Sequence, residues 1–299
     1  MQSKFFFAIC LLLPMALSAQ TEVKKIKATS LTIMPFGSMG SGSISTIEDF
    51  KKLAPNSTVL PTDLSGYTLN NYNSISGSAG ASILLGFKFG KKDGSGYKPK
   101  PILRIGLGYY YNESLSTGAY IEDRFAYDTL TSGNTGEKTP IDSIASSSYN
   151  MNYSSQQIRL DASLIYRTNP EARWSFFAGF GITVGASIAS QTNISNYENY
   201  YFSSANNENG GFYPSAYNSY YYDPYSGETE VIKNKTNMAY SAYIPLGIDF
   251  RVSNKNEFWE RVHLFYELRT GINMLSIPEL ETYTTMEWQH GFGVKIQWN

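Results

Sequence analysis

The stretch Trp288-Gln289-His290-Gly291-Phe292-Gly293-Val294-Lys295-Ile296-Gln297-Trp298-Asn299 decides how the rest of the chain is read. Phe292, Val294, Ile296 and Trp298 are aromatic or aliphatic, and Gly291, Gly293, Lys295 and Gln297 between them are small or polar. Side chains that alternate with period two belong to a β-strand with one apolar and one polar face. Working outward from it, seven more segments carry that period: roughly 29–38, 75–89, 102–113, 156–167, 174–190, 238–252 and 261–275. In the second, Ala79, Ala81, Ile83, Leu85, Phe87 and Phe89 form the apolar face. In the fifth, Phe176, Ala178, Phe180, Ile182, Val184, Ala186 and Ile188 do so.

The links between these strands alternate in length. Long ones, about 39–74, 114–155 and 191–237, follow the first, third and fifth strands. Short ones, about 90–101, 168–173 and 253–260, follow the second, fourth and sixth, and the last link, 276–285, is short as well. Membrane barrels pair short periplasmic turns with longer outer loops and keep both termini on the periplasmic side. The strand at the C-terminus, with its penultimate aromatic, resembles the closing strand of a bacterial outer-membrane barrel. The expected fold is therefore all-β: a transmembrane antiparallel up-and-down barrel of eight strands with long extracellular loops. Ten strands result if hairpins inside the second and third long links also enter the membrane. Pro35 and Pro245 lie inside expected strands, where each removes a ladder donor; bulges or shifted strand ends are expected there.

Composition narrows the class. Charged residues are 16 % of the chain, below the usual quarter or so. A mean hydropathy of -0.29 excludes a bundle of apolar membrane helices. A soluble barrel would turn its apolar face inward and need a charged exterior. Here the polar face holds mainly Gly and Ser, so the apolar face is expected to meet lipid. Tyr109, Tyr111, Tyr166, Trp174, Trp259, Trp288 and Trp298 fall near strand ends, where interfacial aromatic girdles belong. Net charge is -1, so no nucleic-acid partner is expected.

At the N-terminus Lys4 precedes an apolar run from Phe5 to Leu13, and Ala16-Leu17-Ser18-Ala19 offers a small residue at a cut before Gln20. That is a secretory signal over 1–19, too short to span a bilayer, leaving 20–299 as the barrel domain. The single cysteine, Cys10, lies inside it, so neither disulfide nor thiol chemistry is expected of the exported chain.

The polar face carries Arg104, Arg159, Asp161, Asp249, Arg251, Glu267, Arg269 and Lys295, of both signs and at matching parity on neighbouring strands. An eight-stranded barrel has an interior about wide enough for side chains to fill. These groups read as an ion-pair network that plugs the lumen, or as a charged constriction on a narrow path. The third long link is rich in tyrosine, with Tyr213, Tyr217, Tyr220, Tyr221, Tyr222 and Tyr225 among Asn, Ser and Gly, the composition of adaptable recognition surfaces. Such loops can equally extend the barrel as hairpins that touch lipopolysaccharide or one another. Ile47–Leu53 fits one short helix in the first long link. Catalysis is not expected. His290 is followed two residues on by Phe292, so the His-x-Ser pairing of lipid A deacylase barrels is absent, and His263 reads as a structural group on the lumen wall. Two histidines and one cysteine offer no metal-ligand cluster, and Gly106-x-Gly108 runs into Tyr109-Tyr110-Tyr111 rather than a helix, so no cofactor is expected.

The signal ending in Ser18-Ala19-Gln20, the Gly- and Tyr-rich strands and the alternating loops together resemble the PorT-like outer-membrane β-barrel family of Bacteroidetes. The chain departs from the usual outer-membrane ending in that Asn299 follows Trp298. The resemblance implies a bacterial outer-membrane protein with lipid, lipopolysaccharide and the barrel-assembly machinery as partners, and no activity tied to particular residues. In that setting Asp128-Thr129-Leu130 and Asp142-Ser143-Ile144 resemble O-glycosylation triplets. The expected function is a non-enzymatic structural or surface-interaction barrel whose Tyr-rich loops meet an extracellular ligand or surface glycan. The alternative is a narrow channel for small solutes or ions.

Overall fold

The computed structural model of the chain describes residues 26–41, 45–70, 75–89, 101–169, 172–204, 219–221, 226–253 and 255–298. The expected signal segment and Tyr213, Tyr217, Tyr222 and Tyr225 lie outside the described residues. In chain order the elements are β1 Lys27–Ser41, α1 Ile47–Leu53, β2 Thr68–Asn70, β3 Ile75–Lys88, β4 Ile102–Thr131, β5 Lys138–Arg167, β6 Trp174–Ser204, β7 Ser219–Tyr221, β8 Ser226–Lys233, β9 Met238–Arg251, α2 Glu257–Glu260, β10 Val262–Ser276 and β11 Thr282–Gln297.

Eight of these strands close a ring. Each of β1, β3, β4, β5, β6, β9, β10 and β11 pairs antiparallel with the next, and β11 pairs back onto β1. The fold is an up-and-down barrel without a free edge along that ring, the arrangement a hydrocarbon environment requires. The outward set is apolar all round: Ile33, Ile83, Leu107, Leu160, Phe176, Ile182, Leu246, Ile272, Phe292 and Val294 are all exposed. No described helix is long and apolar enough to cross a membrane.

Both prolines sit where the ladder pauses. Pro35 faces Ala81 on β3, while the β1–β11 pairing skips from Ile33–Val294 to Phe36–Gly291 in unbroken register. Pro245 faces Arg269 on β10, while the β6–β9 pairing skips from Ala178–Leu246 to Gly181–Tyr243. A missing N–H is thus absorbed as a gap on one side, and the bulge or shifted end expected at these positions is not present.

The second and third long links do not enter the ring as extra strands. They continue β4, β5 and β6 beyond the band as one tall hairpin stack; β4 and β5 each run for 30 residues. At about 3.3 Å per residue, roughly ten residues cross the band and the remainder stand above it. Two register irregularities mark the change. One lies between Glu113 and Leu115 in the β4–β5 pairing, the other between Gln156 and Gln157 in the β5–β6 pairing. A bulge inserts one residue and reverses facing beyond it. In β4 the buried residues switch from Arg104 and Tyr110 below the bulge to Leu115, Thr117 and Ala119 above it. In β6 they switch from Ser175, Phe177, Thr183 and Ser187 to Ser190, Thr192 and Ile194. The interior accordingly has two cores, a mixed one inside the band and an apolar one above it.

The lower core is not as polar as the sequence suggests. Met34, Phe36, Tyr110, Ile165, Phe177 and Phe265 point inward and pack together. Facing glycines make room for them: a Cβ on Gly181 would fall 2.3 Å from the Tyr243 ring, and one on Gly247 would fall 2.2 Å from that of Phe177. The inward glycines are notches for rings rather than the lining of an open bore.

Candidate functional site

The inward charges gather in layers along the barrel axis. In the middle layer Arg104 on β4 holds Glu267 on β10 with both terminal nitrogens, at 2.6 and 3.0 Å. Arg269, two residues along β10, donates from Nε to the same carboxylate at 2.7 Å and from Nη1 to Asp161 on β5 at 2.7 Å. Tyr243 donates to the other oxygen of Asp161 at 2.5 Å, and Ser163 accepts from Arg104 Nε at 3.1 Å. The Arg269 guanidinium lies 4.6 Å from the centre of the Tyr243 ring. All four charged groups are buried, so two cations and two carboxylates cancel across the lumen. Two-residue spacing on strands puts Glu267 and Arg269 on one face; the β4–β5 ladder then brings Arg104 opposite Ser163.

Nearer the end where β1 begins and β11 stops, Asp249 on β9 is the hub. Its carboxylate receives Arg167 and Lys295, and His263 Nδ1 lies 2.6 Å away. Arg167 also donates to Ser175 at 2.7 Å and to Gln297 at 3.0 Å. On the other side of the middle layer, Arg159 donates to Gln157 at 2.8 Å and Asn273 at 3.1 Å, with its guanidinium 4.3 Å from the centre of the Tyr110 ring.

Of the eight charges singled out in the sequence, Arg104, Asp161, Glu267 and Arg269 come together, Asp249 and Lys295 form the second group, and Arg159 stands in a layer of its own. Arg251 is half-buried at the end of β9, where its backbone N–H donates to the Arg173 carbonyl. Arg167 was missed, although it shares the odd parity of Arg159 and Asp161; its place at a strand end hid it. Tyr243 and Gln157 were missed because a polar inward residue without charge carries no signal in composition. The lumen cavity between the middle layer and Arg159 has a volume of about 20 Å³ and that near Asp249 about 40 Å³, room for one to three waters each.

Above the charges the first long link returns into the barrel mouth. Thr46 and Asp49 close a capping box at the start of α1, at 2.9 and 3.2 Å. The helix then turns Ile47, Phe50 and Leu53 into the upper core, onto Leu115, Met151, Tyr153, Ile194, Ala239 and Leu275. Side chains on the stack hold it there. Asn234 donates to the Leu53 carbonyl at 2.7 Å, and Ser45 donates to the Ser116 carbonyl at 2.7 Å. Glu230 on β8 accepts from the Ser57 hydroxyl at 2.6 Å and from the Thr58 amide at 3.1 Å. β2 adds a short pairing to β4. Between the cap and Arg159, the break between β8 and β9 inserts Asn237, whose amide donates to Tyr153 at 2.7 Å and accepts from Gln157 at 2.8 Å.

The hydrogen bonds from Ser57, Thr58 and the Val59 backbone favour the ionised Glu230 and hold its carboxyl below the ordinary value, the Ser57 hydroxyl contributing most. A depressed carboxyl stabilises the docked link above its ordinary range and loses that contribution as pH falls through the lowered value. Amide exchange in the segment around Ser57 and Thr58 is therefore expected to rise as pH is lowered below about 4.3, and Glu230→Gln is expected to flatten that dependence.

Tyr220 and Tyr221 lie on β7, paired with Phe202 and Tyr201 of β6. Of the two resembling glycosylation triplets, Ser143 is buried with its hydroxyl on Tyr200, so it is not presented, whereas Thr129 is exposed.

No family model matches the chain, and no curated protein matches it. Among solved structures it is similar to Neisserial surface protein A, at 9 % identity over 92 % of this chain and 100 % of that one, with a TM-score of 0.32. It is also similar to Ail, the attachment invasion locus protein of Yersinia pestis, at 11 % identity over 90 % and 100 %, with a TM-score of 0.26. At such identity the likeness is at most one of fold, and no ligand or role passes from those proteins to this chain.

Proposed function

We propose that the protein is an outer-membrane β-barrel whose lumen is a packed core and whose working surface is the hairpin stack above the membrane. The apolar exterior supports the membrane placement, because a face of Ile, Leu, Val and Phe this continuous is not tolerated in water. Exposed Tyr166 and Trp174 at the ends of β5 and β6, Tyr109 and Tyr111 just below the irregularity of β4, and Trp288 opposite Met39 near the end of β1 fit the interfacial girdles. Export by the signal segment, contact with lipid and lipopolysaccharide, and recognition of β11 by the barrel-assembly machinery belong to the same proposal, as does membership in the PorT-like family of Bacteroidetes. The role is structural or surface interaction without catalysis, with an extracellular ligand or surface glycan meeting the upper hairpins.

One observation carries this reading: between the two ends, the bore is filled in succession by the Asp249 group, the Arg104–Glu267–Arg269–Asp161 layer, Arg159 with its ring, and the α1 cap. A channel would need a connected wet path. Refolded protein in a planar bilayer is therefore expected to give no salt-scaled single-channel steps at either of two salt concentrations, while running as a heat-modifiable folded barrel on a gel. Steady steps that scale with salt would replace this reading with the narrow channel.

A further inference from the structure

Every charge in the middle layer has its opposite, whereas the described residues of the layer beneath it hold more cations than carboxylates. Among the described residues the cavity near Asp249 is lined by Lys88, Arg104, Arg167 and Lys295 and by one carboxylate, Asp249. Arg104 is neutralised by Glu267. Asp249 already meets Arg167, Lys295 and His263. That leaves Lys88 without a carboxylate opposite it among the described residues. The Lys88 side chain is half-buried, and no hydrogen-bond or ion-pair partner meets its ammonium among the described residues.

A second observation is independent of charge. Thr32 lines the same cavity, is 1 % exposed, and its hydroxyl has no hydrogen-bond partner. A buried hydroxyl left alone is costly, and each such group calls for an explanation. Ser30 stands two residues away on the same inward face, and Gln297 lies across on β11. The cavity volume, about 40 Å³, is close to three water-sized spheres, which suits the oxygens of one small oxyanion and not a sugar or a nucleotide. The Lys295 side chain keeps 15 % of its surface exposed.

We propose that this end of the barrel binds a phosphate group, held by the ammonium groups of Lys88 and Lys295, the guanidinium of Arg167 and the hydroxyl of Thr32. The cations supply the charge-assisted donors that phosphate takes strongly, and the hydroxyl fixes its orientation. The site faces away from the hairpin stack and is separate from the surface role proposed above. Its group comes either from free phosphate or from a lipid headgroup.

The test is isothermal titration of the refolded, detergent-held barrel with inorganic phosphate, with glycerol phosphate and with a short-chain phosphatidic acid. Lys88→Gln removes a cation that nothing described depends on, so the fold, checked by heat-modifiability, is kept. It is expected to weaken binding by about tenfold or more, the loss of one charge-assisted bond. Thr32→Val is expected to weaken it less. Equal binding of the two soluble phosphates identifies the free source, and binding of the phosphatidic acid alone identifies the headgroup. Absence of binding for all three, or binding unchanged in both Lys88→Gln and Thr32→Val, overturns the proposal.

Discussion

Replacing Glu267 with alanine is expected to destabilise the folded barrel by about 3–5 kcal/mol, read as a lower urea midpoint of the refolded protein at unchanged slope. The carboxylate is fully buried and receives three nitrogens, two from Arg104 and one from Arg269. Without it Arg104 keeps only Ser163 and the Phe177 ring 5.8 Å away, and Arg269 must share Asp161 with Tyr243. Two buried cations then face one carboxylate. Glu267→Gln retains the shape and loses the charge, so it is expected to fall near the alanine variant and not near the wild type. Glu257 is the internal control. It pairs with Arg261 at 2.9 Å, but the two side chains are 86 % and 54 % exposed, and its removal is expected to cost about 1 kcal/mol or less. If Glu267→Ala shifts the midpoint no more than Glu257→Ala does, the middle layer does not hold the barrel together.

The membrane-crossing half of the fold was legible because a strand against lipid must alternate without interruption. Eight such runs gave the strand number, the order and the inward set that includes Asp161, Glu267 and Arg269. The expected strands ended where the interior changes from polar to apolar. The third stopped at Glu113 and the fourth began at Gln156, both at register irregularities. Above those points the interior is apolar, with Leu115 and Ala119 on β4 and Met151 and Tyr153 on β5 turned inward, so the apolar-out, polar-in alternation that marks a strand against lipid stops and the continuing strand reads as a loop. That is why the hairpin stack was read as long links. α1 was legible from Ile47, Phe50 and Leu53 at helical spacing, and its observed bounds are those expected. Its target was not, since Leu115, Met151, Ile194 and Leu275 come from four strands whose upper halves read in the sequence as loops or strand ends. Asn237 carried no signal: an Asn in a polar link reads as a turn residue, and only the assembled barrel buries it against Tyr153 and Gln157.

Phe50→Ala is expected to release the cap while leaving the barrel folded. Phe50 is completely buried at the centre of the upper core, and a Phe-to-Ala change in such a place costs about 3–5 kcal/mol. The cap is small, and its remaining ties are Ile47, Leu53, Leu60 and Leu64 in the same core, the short β2–β4 pairing and hydrogen bonds with Asn234, Glu230 and Ser116. A loss of that size removes a large share of the docking energy of the link, whereas the ring of eight paired strands does not depend on it. Lys51 and Lys52 beside Phe50 provide the readout. Limited trypsin digestion is expected to cut after them in Phe50→Ala and to spare them in the wild type, with heat-modifiability retained by both. Conductance is expected to stay silent even in the nicked protein, because the Arg104–Glu267–Arg269–Asp161 layer and the ring-filled notches lie below the cap and are untouched by its loss. Channel steps that appear on cap release would show that α1 alone is the seal and that the charged layer passes ions. Protection of Lys51 and Lys52 in the variant would show instead that the cap is held by the hydrogen bonds to the hairpin stack, with Phe50 contributing little.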